Sequence, residues 1–277
     1  AFVFTRTAGN WTPQASLSAS NAGQSDYFGK HLALSGDGNT LVVCAEGEDG
    51  SSPGVNGTDN DSLSYAGAAY VFNRSGATWN EVAYLKASNP GSIDTFGASV
   101  AINNDGTVIA VGASQEDSDA DVIDGSQTDG ASNAGAVYVF RYSGTWTQDA
   151  YIKASNSDAE DMFGTSVSLS DDGNSLAVGA KGEASASTFV NGTQTSNSLQ
   201  NAGAAYLFRY SEGAWAQSHY VKAPNTELWD FFGTSVSLTA DGSVLAVGAT
   251  AEDGSYAGIM GDISDNGTGE SGAVFLY

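Results

Sequence analysis

The chain repeats itself about every 68 residues, and that period constrains its fold more than any other feature. Tyr70-Val71-Phe72, Tyr138-Val139-Phe140, Tyr206-Leu207-Phe208 and Phe275-Leu276-Tyr277 are versions of one motif, begun at Phe2-Val3-Phe4, at steps of 68, 68, 68 and 69 residues. Trp11, Trp79, Trp146 and Trp215 keep the same beat, as do Phe-Gly pairs at 28–29, 96–97, 163–164 and 232–233. An Asp-Gly pair (37–38, 105–106, 172–173, 241–242) follows each Phe-Gly. Self-similarity at a fixed interval marks architectures in which one supersecondary unit stacks on the next.

Each unit contains four short runs that alternate apolar with small or polar residues, as strands do. In the third unit these are 163–169, 175–180, 204–208 and 215–223. The Asp-Gly pair between the first two runs predicts a two-residue hairpin turn, because Gly tolerates positive φ. Ser-Gly turns such as Ser143-Gly144 join the third and fourth. No segment sustains a helical period. The expectation is an all-β fold, a β-propeller of four-stranded antiparallel blades. A partial blade spans 1–20, blades span about 27–88, 95–156 and 162–224, and a partial blade spans 231–277.

These motifs together resemble the FG-GAP repeats of integrin α-subunit heads. Phe-Gly opens the innermost strand, Val-Gly-Ala (111–113, 178–180, 247–249) stands where that family has Gly-Ala-Pro, and 135–140 (Gly-Ala-Val-Tyr-Val-Phe) matches its next strand. The resemblance implies a propeller of seven blades, so this chain reads as an arc of a larger ring or as a unit whose end strands pair with another molecule. Ser114, Lys181 and Thr250 replace the family's Pro. The Asp-x-Asp-x-Asp-Gly calcium loop between strands one and two is missing, so that metal site is not carried over.

Charge is distributed unevenly. The chain has 32 acids against 9 Lys and Arg, a net charge of −23, which excludes a nucleic-acid binder dependent on basic stripes. Antiparallel order puts the loops from strand two to three (46–65, 114–133, 181–201, 250–271) on one face with the interblade links (21–27, 89–95, 156–162, 225–231). Those segments hold 24 of the 32 acids and one base, Lys181. Counted from the Ala ending strand two, acids recur at offsets three and four (Glu48-Asp49, Glu116-Asp117, Glu252-Asp253) and at offset sixteen (Asp61, Asp129, Asp265). A turn Gly recurs at offset twelve (Gly57, Gly125, Gly192, Gly261). The remaining repeat has Ala184 and Ser196 instead, so the acids vanish as a pair, as co-ligands would. Calcium takes six to eight oxygens; the expectation is one Ca2+ site in each of three long loops and none after Ala180.

Other recurrent residues read as structural. Asp26, Asp94, Asp161 and Asp230, two before each Phe-Gly, suit turn caps. The four Trp suit interblade packing, Lys86, Lys153 and Lys222 suit exposed interblade ion pairs, and Cys44 is a buried thiol without a disulfide partner. Trp229 stands alone in its link. His31 and His219 occupy unrelated places, so no catalytic constellation assembles, and no apolar run is long enough to insert in a bilayer as a helix. Asn-x-Ser/Thr sequons at Asn10, Asn56, Asn60, Asn73, Asn191 and Asn266 suit a secreted glycoprotein. The expected function is a non-catalytic extracellular scaffold or adhesion module, calcium-stabilised, meeting a protein or glycan partner on its acidic loop face. The alternatives are a filament or complex subunit that self-assembles through its end strands, and an accessory domain of a secreted hydrolase.

Overall fold

The computed structural model describes residues 1–58, 60–255, 258 and 267–277, and among these it is built from strands and loops alone. The first sheet pairs β1 (Phe2–Thr7) with β2 (Asn10–Ser16). Three complete blades follow, each an antiparallel meander: β3 (Leu32–Leu34), β4 (Thr40–Ala45), β5 (Ala68–Ser75) and β6 (Thr78–Leu85); β7 (Ser99–Ile102), β8 (Val108–Ala113), β9 (Ala136–Tyr142) and β10 (Trp146–Ile152); β11 (Phe163–Leu169), β12 (Ser175–Ala180), β13 (Ala204–Ser211) and β14 (Ala214–Val221). The last sheet has three strands, β15 (Phe232–Leu238), β16 (Leu245–Ala249) and β17 (Ala273–Leu276). The all-β, four-stranded antiparallel unit is therefore as the repeat predicts. Among the described residues no strand pairing joins the first sheet to the last.

The Asp-Gly turns are longer than two residues. Ser35 pairs with Thr40 across the hairpin, and Gly38 N–H donates to Ser35 O (2.9 Å). Only the Gly is left-handed (φ 68°), whereas a two-residue type I′ turn needs both central residues at positive φ. The Asp acts through its carboxylate instead, accepting from Ser35 Oγ (2.7 Å) and Asn39 N (2.9 Å). The same bonds hold Asp241 at about 2, its hydroxyl donors Thr239 and Ser243 favouring the charged form.

Hydrophobic burial lies between sheets. Val42, Cys44, Val71 and Leu85 of one blade close on Ile109, Val111, Tyr138 and Phe140 of the next, and each such side chain contributes about 1.5–3 kcal/mol. First strands of adjacent blades come close: Ser99 Oγ donates to Gly164 O (2.7 Å) and Ser166 Oγ to Gly233 O (2.9 Å). The Gly of Val-Gly-Ala makes this approach possible. A Cβ on Gly112 or Gly179 would lie 2.1 or 1.9 Å from the carbonyl oxygen of the neighbouring blade's Phe-Gly.

Candidate functional site

The long loops fold back along the outer edge of the fourth strand. Asn56 N–H donates to Tyr84 O (2.7 Å) and Lys86 N–H to Gly54 O (2.8 Å). Asp124 N bonds Tyr151 O (2.8 Å), Asn191 N bonds Tyr220 O (2.7 Å), and Lys222 N bonds Phe189 O (2.9 Å). An edge that would otherwise template aggregation is thereby covered. The pivot of each loop is not the Gly at offset twelve but the residue before it: Asn56, Asp124 and Asn191 have φ of 56°, 54° and 56°. Short polar side chains tolerate that conformation, and each Oδ1 accepts the backbone N–H of Tyr84, Tyr151 or Tyr220 (2.9, 2.8 and 3.0 Å). The Gly supplies space, since a Cβ on Gly192 would sit 1.8 Å from Ser187 Oγ. The signal, Asn/Asp-Gly at one register, is present in the sequence.

Beneath each loop lies a buried carboxylate. Glu116 accepts from Lys153 Nζ (3.1 Å), Tyr151 OH (2.9 Å), Asn89 Nδ2 (2.8 Å) and Ser118 Oγ (3.2 Å). Glu48 accepts from Lys86 Nζ (2.7 Å), Tyr84 OH (2.6 Å) and Asn21 Nδ2 (3.2 Å). Glu183, in the repeat with Ala184 and Ser196 at offsets four and sixteen, does the same with Lys222 Nζ (2.7 Å), Tyr220 OH (2.9 Å) and Asn156 Nδ2 (3.0 Å). Glu and Lys are both buried in all three pairs. The Lys residues therefore correct an expectation: they serve a glutamate of their own blade, inside it, rather than an exposed acid on a link. Burial draws Lys153 and Lys222 below the ordinary ammonium value while the partner glutamate holds them up.

The acid at offset four has a different task. Asp49, Asp117 and Asp253 each use Oδ1 to accept a backbone N–H, from Tyr65 (2.8 Å), Asn133 (2.8 Å) and Glu270 (2.7 Å). The three residues that donate are left-handed, at φ 54°, 53° and 56°. Asp61 and Asp129 are exposed, and Asp265 lies outside the described residues. Among the described residues no group of three or more His, Cys, Asp or Glu is placed to hold a metal ion. The expected Ca2+ cages at Glu48–Asp49–Asp61 and Glu116–Asp117–Asp129 do not fit this donor set. Their glutamates already face an ammonium, and consecutive acids point at different partners. At Glu252 and Asp253 the described part of the set likewise bonds Asn225 and backbone N–H groups.

The links carry a second built feature. Asp26, Asp94, Asp161 and Asp230 are buried and cap the link turn by accepting the N–H three residues before: Gly23 (2.6 Å), Gly91 (2.7 Å), Asp158 (2.9 Å) and Glu227 (2.7 Å). Desolvation pushes Asp161 up to about 8, Asp94 to about 7 and Asp230 to about 6, against the lowering effect of those N–H bonds. Immediately before each Asp stands a left-handed residue: Ser25, Ile93, Glu160 and Trp229, at φ 68°, 73°, 70° and 70°. All four side chains are exposed, Ile93 at 55 % and Trp229 at 50 %. Left-handed backbone is costly for a β-branched or bulky residue. Ile93, Glu160 and Trp229 each donate their N–H to the preceding blade's loop, at Ser64 O (2.8 Å), Ser132 O (2.8 Å) and Gln200 O (3.1 Å). Loops and links thus form a hydrogen-bonded seam that holds one variable side chain per blade outward.

The remaining candidates are structural. Trp215 and Trp146 are buried against the preceding blade, and Trp215 Nε1 donates to Asp149 Oδ2 (3.1 Å) across it. Trp11, with no sheet packed before it, is 66 % exposed. Cys44 is a buried free thiol whose pKa burial pushes up. A cleft of about 200 Å³ lined by Asn56, Asn73, Val82, Tyr142, Thr145 and Trp146 contains no carboxylate, imidazole or thiol. No helix among the described residues is long and apolar enough to cross a membrane.

No curated protein matches the chain by sequence. Among solved structures, a putative TolB from Agrobacterium tumefaciens aligns over 87 % of this chain and 58 % of its own length, at 11 % identity and a TM-score of 0.42. The Pseudomonas aeruginosa periplasmic gluconolactonase PpgL aligns over 89 % and 70 % (16 %, 0.39), and a putative 6-phosphogluconolactonase from Bacteroides uniformis over 91 % and 71 % (13 %, 0.39). This chain thus spans little more than half of the TolB-like structure. The FG-GAP repeat model matches residues 11–72, 79–140 and 146–208. Each match begins at the outer-strand Trp of one sheet and ends on the third strand of the next, so the sequence unit stitches two blades together. With about two thirds of its length so matched, the chain belongs to the FG-GAP repeat family.

Proposed function

We propose that this chain is a non-catalytic extracellular interaction scaffold, an arc of a β-propeller whose loop face docks a protein or glycan partner. The observation that carries the proposal is the display of Ser25, Ile93, Glu160 and Trp229. Four equivalent left-handed positions, each next to a buried Asp and three of them braced by a backbone bond to the preceding blade's loop, present four chemically different side chains. A fold that spends backbone strain at the same exposed point in every blade, while varying the residue there, supports a surface read by a partner. Exposed acids around it, among them Asp61, Asp119, Asp121, Asp129 and Glu227, favour a partner of opposite charge, steered by the field of the face. Calcium enters only as a counterion to those exposed acids. The exposed sequon residues Asn10, Asn56, Asn60, Asn73 and Asn191 support a secreted location.

Arrays of immobilised matrix proteins and glycans, probed with the chain and with an Ile93→Ala/Trp229→Ala variant, test this. The expected result is a ligand held by the parent and lost by the variant, with binding that weakens as salt rises. Equal capture of every ligand by both proteins overturns it.

A second reading is a subunit of a filament or large complex that assembles through strand edges, to which the exposed apolar side chains Phe2, Phe4 and Trp11 of the first sheet and Val274 and Leu276 of the last could contribute.

A further inference from the structure

The junctions between complete blades share one aromatic pair, and differ in what lies over it. Tyr142 and Trp146 of the second complete blade have ring centroids 5.4 Å apart at 50°, and Tyr210 and Trp215 of the third 5.4 Å apart at 55°. Where the second blade meets the third, the space over the pair is filled. Arg141 stacks on Tyr210, its guanidinium carbon 4.0 Å from the ring centroid. Asp149 accepts from Arg141 Nε (3.2 Å) and from Trp215 Nε1 (3.1 Å).

Where the first complete blade meets the second, that ion pair is missing. Asn73 stands 68 residues before Arg141, in the same register. Val82 stands where the next repeat has Asp149. Each is the unpaired residue of one bulge, between Phe72–Glu81 and Val71–Ala83 or between Phe140–Gln148 and Val139–Ala150. Bulges re-aim a side chain. Gln14, at the bulge of β2, likewise accepts from Trp79 Nε1 (2.9 Å). Val82 has no acceptor to offer, and among the described residues none accepts from Trp146 Nε1. The cleft of about 200 Å³ between Asn56, Asn73, Val82, Tyr142, Thr145 and Trp146 lies at this place, with Val82 42 % and Tyr142 45 % exposed.

The two replacements select a class of ligand. A guanidinium would stack on Tyr142 as Arg141 does on Tyr210, but it would meet no carboxylate and would leave the indole N–H without an acceptor. An anion would meet no cation, and a charge desolvated without a partner is costly. A neutral ligand suits the lining if it offers an apolar face to Tyr142 and Val82, an acceptor to Trp146 Nε1, and hydroxyls to the Asn73 amide and the Thr145 hydroxyl. A pyranose ring offers all of these, and the cleft is smaller than the roughly 300–1,000 Å³ of pockets for drug-sized ligands. We infer that this cleft is a saccharide site, one pyranose residue packing on Tyr142 and accepting from Trp146 Nε1. Asn73 begins the sequon Asn73-Arg74-Ser75, so the sugar has two sources, a partner's glycan or the chain's own glycan on that residue. Neither Ile93 nor Trp229 lines the cleft, and the site is independent of the loop-face display.

The unglycosylated chain, made in bacterial cells, is titrated with methyl glycosides of glucose, galactose, mannose and N-acetylglucosamine and followed by NMR. One of them should bind saturably, with a Kd on the order of 1 mM, and move the Trp146 Nε1–H resonance. Asn73→Arg/Val82→Asp rebuilds the ion pair of the neighbouring junction. It should keep the melting temperature and weaken binding about tenfold or more, whereas Ile93→Ala/Trp229→Ala should leave binding unchanged. In chain secreted from eukaryotic cells, a glycan on Asn73 that blocks the methyl glycoside, with binding restored by Ser75→Ala, identifies the chain's own sugar. Binding that is not blocked identifies a partner's. Absence of saturable binding by all four glycosides overturns the proposal, as does equal binding by the Asn73→Arg/Val82→Asp variant. So does ethylguanidinium that shifts the Trp146 resonance where the glycosides do not, because the occupant is then an arginine side chain.

Discussion

Glu183 and Glu252 stand at one register of adjacent blades, yet their surroundings differ in kind. Glu183 lies under a fourth strand and a folded-back loop, bonded by Lys222, Tyr220 and Asn156. Glu252 keeps the Asn alone of those three, and that Asn225 has a buried Oδ1 without a hydrogen-bond donor. In complete blades the third-strand Tyr hydroxyl donates to that oxygen, as Tyr206 does to Asn156 (2.8 Å); in the last sheet the position is Phe275. The comparison teaches that the recurrent acids are not a surface charge pattern. Eight of them, four Glu and four Asp, are buried and act as hydrogen-bond hubs that tie loop, link and outer strand together. The displayed anionic field is correspondingly smaller than the net charge of −23 suggests.

The sharpest test of this contrast removes the cation. Lys222→Met leaves Glu183 buried and unpaired and should cost about 3–5 kcal/mol in urea unfolding, whereas Glu252→Gln, which has no ammonium to lose, should change stability by less than about 1 kcal/mol. Equal effects would erase the distinction between the two blades. Outer-strand packing comes next. Trp215→Ala should cost about 3 kcal/mol, near the lower end for a buried Trp, and Trp11→Ala less than about 0.5 kcal/mol, both read from thermal melts.

Interblade approach should follow at a smaller scale. Gly179→Ala drives a Cβ into the Gly233 carbonyl, while a Cβ on Gly248 would meet only the Ser235 side chain. Overpacking of about 1–3 kcal/mol is expected for Gly179→Ala, and a smaller loss for Gly248→Ala. The weakest effect is in pH. The folded chain keeps protons on Asp161, Asp94 and Asp230 to about pH 8, 7 and 6. Their stabilisation is complete below the ordinary carboxylate value of 3.8 and is lost as pH rises through those values. Asp161→Asn, which removes the titration, should raise stability at pH 8.5 by about 1 kcal/mol and flatten its fall between pH 5 and 8. A pH profile identical to the parent's would show that Asp161 titrates normally.

Much of this was legible from residues alone, and the misreadings share one cause. Glu48-Asp49 and Glu116-Asp117 are neighbours in sequence and look like paired ligands. One member turns inward to a lysine 37 or 38 residues away and the other outward to a turn N–H. Glu183 keeps the acid at offset three although Ala184 and Ser196 stand at offsets four and sixteen, because its partners Tyr220 and Lys222 lie on the fourth strand and not in the loop. The Asp caps are legible in the sequence, since their N–H partners are three residues off and the turn is local.

By itself the sequence determined the period, the four-strand unit, the burial of the aromatic motif and the family. Those properties follow from local alternation and from glycine positions, which survive without knowledge of distant contacts. Which charges meet and which edge each loop covers were decided only in tertiary structure. A carboxylate's role depends on the donors that arrive within 3 Å of it, and here they arrive from a different strand of the same blade.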